Sequence, residues 1–86
     1  MIAHISVGEN SYVFWLHEGW AEVMKIERGR SYSWMRSSPL LFELPEEAKE
    51  VLRAAAPALR LRALSLPYYE LSILRRWLDE AENSNT

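Results

Sequence analysis

The sequence predicts an α+β domain: an N-terminal four-stranded antiparallel β-meander over residues 2–36, packed against two or three C-terminal α-helices within residues 45–82, the whole forming one domain of 86 residues. Three observations predict it. The only three glycines, Gly8, Gly19 and Gly29, fall ten or eleven residues apart, each beside polar neighbours. The stretches between them are rich in Val, Ile, Tyr, Phe and Trp, the residues that fit a pleated surface. From Pro45 onward that pattern gives way to apolar residues at helical spacing.

The strands are expected near 2–7, 12–17, 20–27 and 31–36, joined by two-residue turns at Glu9-Asn10, Glu18-Gly19 and Arg28-Gly29. Glycine accepts the positive φ that tight hairpins require. Cross-strand partners share a face and side chains alternate. One face therefore collects Ala3, Ile5, Val7, Tyr12, Phe14, Leu16, Ala21, Val23, Tyr32 and Trp34, with Lys25 and Arg36 toward an edge. This first face is the natural core. The second face collects Ile2, His4, Ser6, Val13, Trp15, His17, Trp20, Glu22, Met24, Ile26, Ser31, Ser33 and Met35. A solvated sheet face is mostly polar, so Trp15, Trp20, Met24, Ile26 and Met35 make this one a candidate contact surface. A bulge at Gly19 or Gly29 would exchange part of the two sets.

Ser37, Ser38 and Pro39 break the last strand, and segment 40–44 leads into Pro45, Glu46 and Glu47. Proline suits a helix start, and early glutamates complement the positive end of the helix dipole. Ala48, Val51, Leu52 and Ala55 give this first helix an apolar stripe toward the sheet, and Pro57 is read as its end. Segment 57–66 alternates as a strand would, but its Ala and Leu content favours a short helix. Pro67 opens the last helix, with Ser65 near its cap. There Leu66, Ile73, Leu74, Trp77, Leu78 and Ala81 cover one arc and Ser72, Arg75, Arg76 and Asp79 the other. Arg75 with Asp79 and Arg76 with Glu80 have pairing distance along a helix. The tail 83–86 is polar and expected to fray.

Composition narrows the function. There is no cysteine, hence no disulfide, thiolate nucleophile or Cys-ligated zinc. The N-terminus lacks the basic start and apolar run of a secretory signal, and no apolar run approaches the ~20 residues of a membrane span. A cytoplasmic setting without membrane contact is expected. A net charge of −2 gives no general attraction to phosphate, but Arg53, Arg60, Arg62, Arg75 and Arg76 gather where Glu70 is the only acid.

Catalytic signals are scarce. His17-Glu18 begins like the zincin motif, yet Ala21 stands where the second histidine belongs. His4 and His17 share the second face, but the register sets His4 across from Trp15 and His17 across from Ile2, with Glu22 the only nearby carboxylate, so no metal and no cofactor are expected. Helix-start chemistry accounts for Glu46 and Glu47, and solvation for Glu50. Phosphate loops, dinucleotide fingerprints and nucleophile elbows are absent from the sequence.

A non-enzymatic binding module follows. Trp15 and Trp20 serve as anchors, Met24, Ile26 and Met35 as adaptable apolar contacts, and His4, His17 and Glu22 as a polar rim. The expected partner is a protein, either a second copy in a homodimer or a target whose surface is occluded, as by a small regulator or a phage or mobile-element inhibitor. Two readings compete. The helices or segment 40–44 would bury the second face, or the chain would bind nucleic acid. The latter would use Trp15 and Trp20 with Lys25, Arg28, Arg30 and Arg36, or the Arg60, Arg62, Arg75 and Arg76 group, against the repulsion of Glu18, Glu22 and Glu27.

Overall fold

A computed structural model of the chain describes residues 2–39 and 42–83. It has the α+β class, a four-stranded antiparallel sheet followed by two helices, and divides into two compact units, Met1–Glu43 and Leu44–Thr86.

The first unit is a meander of β1 (Ala3–Val7), β2 (Asn10–His17), β3 (Trp20–Glu27) and β4 (Arg30–Ser37), in that spatial order. Two turns lie where the glycines place them, with His17 opposite Trp20 and Glu27 opposite Arg30. At the last turn Arg28 (φ +52) and Gly29 (φ +78) are both left-handed, the combination of a type I′ hairpin.

The first hairpin departs from expectation by two residues. Its turn is centred on Gly8-Glu9, with Val7 opposite Asn10, because Gly8 itself takes the positive φ (+61) at the first central position. An even shift leaves the faces unchanged. It does move partners: His4 faces Val13, and β1 ends its pairing at Ala3 opposite Phe14, so neither His4–Trp15 nor His17–Ile2 is a cross-strand pair.

A bulge also forms, but not at a glycine. Met24 pairs with Ser33 and Val23 with Met35, leaving Trp34 as the extra residue of β4. A regular register would set Arg36 on the apolar face and Met35 beside Glu22. The bulge instead brings Met35 opposite Val23 on the first face and Arg36 opposite Glu22 on the second, trading a local break in the ladder for apolar burial and a charge pair. Met35 is therefore withdrawn from the second face, and Arg36 joins it.

Ala3, Tyr12, Phe14, Ala21 and Val23 of the first face are buried, as are Ile2, Val13 and Glu22 of the second. Ile5, Leu16 and Trp34 are only partly buried, while Val7 and Tyr32 are exposed at the end that carries the first and third turns.

The second unit is a helical hairpin of α1 (Glu46–Ala63) and α2 (Tyr68–Asn83). Pro57 does not end α1, and segment 57–66 is neither a strand nor a separate helix. The missing proline N–H removes one intrahelical bond, but Pro57 is exposed, and the apolar stripe resumes beyond it. Ala48, Val51, Leu52, Ala56, Leu59 and Ala63 are buried, with Ala55 only half so. Half of that set is alanine, whereas α2 buries Ile73, Leu74, Trp77, Leu78 and Ala81. Small residues on one helix thus leave room for large ones on the other.

Polar groups cross the same seam. Arg53 Nε donates to the Ala81 carbonyl (2.9 Å) and Arg60 Nη2 to Asp79 (2.8 Å) and Glu82 (2.9 Å), while Lys49 lies 3.9 Å from Glu80. Asp79 thus meets Arg60; Arg75 makes no ion pair among the described residues. Leu71 N–H donates to the Pro67 carbonyl, so Pro67 caps α2. Ser65 is not the cap: its Oγ donates to the Arg62 carbonyl. Asn83 ends α2, and the rest of the expected frayed tail, 84–86, lies outside the described residues, as do positions 40 and 41 of the lead-in segment. No helix among the described residues is long and apolar enough to cross a membrane.

Candidate functional site

Strand alternation places Trp15 and His17 on one face of β2, and Trp20 and Glu22 on the same face of β3. The bulge supplies Arg36 from β4. Glu22 is 4% exposed, the one buried charged side chain among the described residues. A buried carboxylate is tolerated only with partners. Ser33 Oγ donates to its Oε2, Arg36 Nη2 lies 3.4 Å from that oxygen, and His17 Nε2 is 3.9 Å from Oε1.

Above this carboxylate the rings form a ladder. Trp15 and His17 stack with centroids 5.4 Å apart and planes 19° apart. His17 and Trp20 stack at 3.7 Å and 16°. The Arg36 guanidinium carbon lies 4.6 Å from the Trp20 centroid, within the range of a cation–π contact. Glu22 holds Arg36 and Arg36 covers Trp20, so one carboxylate orients the cationic end of the stack. Trp15 Nε1 and His17 Nε2 are buried and make no hydrogen bond, which leaves two polar atoms of the ladder unsatisfied.

The other expected site residues divide. Met24 and Ile26 are half-buried on the ladder's face, Met24 between Val13 and Ser33 and Ile26 between Ser11 and Ser31. His4 is exposed on β1, four β2 positions from His17 as judged by its partner Val13. That is about 13 Å along a strand, so His4 is not part of the cluster. No group of three His, Cys, Asp or Glu among the described residues could hold a metal ion. Met35 faces the other way, as described above.

The basic residues are divided between the two units. Arg28 lies in the third turn and Arg30 directly follows it, both exposed. Arg60 is held by Asp79 and Glu82, and hydrogen bonds to Asp79 first and Glu82 second raise its pKa above the usual arginine value. Arg62, Arg75 and Arg76 are exposed on the helical unit.

The sequence sets Arg36 beside Trp15 and Trp20 only as a nucleic-acid candidate; its pairing with Glu22 depends on the bulge, and the Ser33 hydrogen bond on a buried acid. The glycine-based register gives no signal for Arg36; Ser33 was on the right face without a role. Leu61, Leu64, Tyr68 and Tyr69, exposed between 55% and 83% around the helical connection, also went unmarked, since none falls on the buried stripe.

The fold defines a small α+β protein with a sheet-borne aromatic ladder. Comparison with known protein families, curated proteins and solved structures finds no match to this chain.

Proposed function

We propose that this chain is a non-enzymatic protein-interaction module that binds through the second face of its sheet, either to a second copy of itself or by covering the surface of a target, as a small regulator or inhibitor does. The observation that carries this reading is the Trp15–His17–Trp20–Arg36 stack anchored by Glu22. Trp and Arg are the residues most enriched at binding hot spots, and rings already stacked have less rotamer freedom left to lose on association. Met24 and Ile26 extend the apolar contact. A chain without cysteine suits a reducing cytoplasm.

Light scattering over a concentration series tests the self-association form. The expected result is a wild-type dimer that Trp20→Ser converts into a folded monomer. A monomeric wild type moves the reading to a heterologous partner. If Trp15→Ser and Trp20→Ser each unfold the chain, the ladder is core and this surface does not exist.

A further inference from the structure

Toward its Arg28-Gly29 end, the first face of the sheet stops being a core. Tyr12 is buried, Trp34 half-buried and Tyr32 48% exposed. Between them Lys25 Nζ lies 5.9 Å from the Tyr12 centroid and 6.0 Å from that of Trp34. Lys25 is also 3.5 Å from Glu27, which offsets the acid nearest this end. Arg28 and Arg30 are exposed and make no ion pair among the described residues. With Glu27 and Tyr32 they line a cleft of about 520 Å³. The type I′ turn fixes the tip that carries both arginines. Arg28 holds a left-handed conformation that asparagine or glycine would adopt with less strain.

We propose that this end of the first face binds single-stranded nucleic acid, with Tyr32 stacking on a base and Arg28 and Arg30 holding the flanking phosphates. An exposed ring can stack only on a base that is not enclosed in a duplex, and rings flanked by cations are the common design of single-strand platforms. The sequence offers Trp15 and Trp20 with Lys25, Arg28, Arg30 and Arg36, or the Arg60, Arg62, Arg75 and Arg76 group, for nucleic acid; the single-strand site keeps Arg28 and Arg30 but takes its stacking ring, Tyr32, from the face opposite the ladder.

Fluorescence anisotropy of labelled oligo(dT) and oligo(rU), with the full chain at low salt, tests the site. Both single strands are expected to bind. Tyr32→Ala should weaken binding about tenfold while Tyr32→Phe retains it. Arg28→Gln and Arg30→Gln should each lower the slope of log affinity against log salt by about 0.7, and Arg62→Gln on the helical unit should leave it unchanged. Circular dichroism checks that each variant is folded; should Tyr32→Ala unfold, the two arginine slopes decide. No binding at low salt overturns the proposal and leaves this end to a protein partner. Equal competition by inorganic polyphosphate or by the matching duplex also overturns it, as does an Arg62→Gln effect equal to that of Arg30→Gln.

Discussion

In the helical unit Arg53, Arg60 and Lys49 each reach across from α1 to an acceptor on α2, and the buried side chains beneath them are all apolar. In the sheet unit the charges keep other company. Glu22 is buried among His17, Ser33 and Arg36, Arg36 lies over Trp20, Lys25 sits between two rings, and Arg28 and Arg30 share a cleft with Glu27 but make no ion pair among the described residues. The first arrangement closes a seam between two helices. The second sets cations and aromatic rings side by side on open or half-open faces, around one buried carboxylate. On the proposed reading, the helical charges pair across the α1–α2 seam, whereas those of the sheet serve binding.

Breaking the helical seam should have the largest effect. Trp77 is fully buried, and Trp77→Ala should cost about 3–5 kcal/mol in denaturant unfolding, a large share of the stability of a small domain. Pro57→Ala should act in the opposite sense, since it restores a helical hydrogen bond at an exposed position; a gain of about 1–3 kcal/mol is expected from thermal unfolding.

In the sheet unit, Glu22→Ala removes a buried acceptor shared by Ser33 and Arg36 and should cost about 2 kcal/mol. Loss of the Arg36–Trp20 contact should also be visible as a red shift in tryptophan fluorescence. An unchanged spectrum would break the link drawn between the acid and the ladder. Gly29→Ala forces a side chain into a left-handed backbone (φ +78) with open space around it, so strain alone acts, at about 1–2 kcal/mol.

The smallest effect belongs to Arg60. Its raised pKa means that its contribution is fully present below the unfolded arginine value and is lost only as pH rises through the still higher folded one. On the arginine side the contribution is therefore flat between about pH 6 and about pH 9. Solvent screens the pair, so Arg60→Gln should cost only about 0.5 kcal/mol, and less as salt rises.

Much of this architecture can be read from residue order. Glycines beside polar residues mark all three hairpins, and strict alternation places Trp15, His17, Trp20 and Glu22 together without any coordinates. The failures have local causes. Gly8-Glu9-Asn10 offers two adjacent turn centres, and only the backbone angle of Gly8 decides between them. Pro57 reads as a stop, but Ala56, Leu59 and Ala63 continue the buried stripe, and packing outweighs one lost hydrogen bond. The bulge at Trp34 has no glycine or proline to announce it. It follows from a demand two strands wide, that Glu22 needs a cation and Val23 an apolar neighbour, and no single-strand pattern expresses that.

That bulge has a bearing on how the molecule behaves in a crowd. β1 and β4 are the outer strands of an open sheet, and unpaired outer strands invite other chains to add on in register. β1 is only five residues long, a poor template. β4 is eight residues long, but the extra residue at Trp34 interrupts its ladder, and arginines stand near both ends of the strand, at positions 30 and 36. Irregular, charged borders of this kind discourage the growth of fibrils and sheet-to-sheet polymers. A chain with 49% hydrophobic residues and little net charge thus carries, in the same irregularity that shapes its aromatic face, a safeguard against its own self-templated assembly.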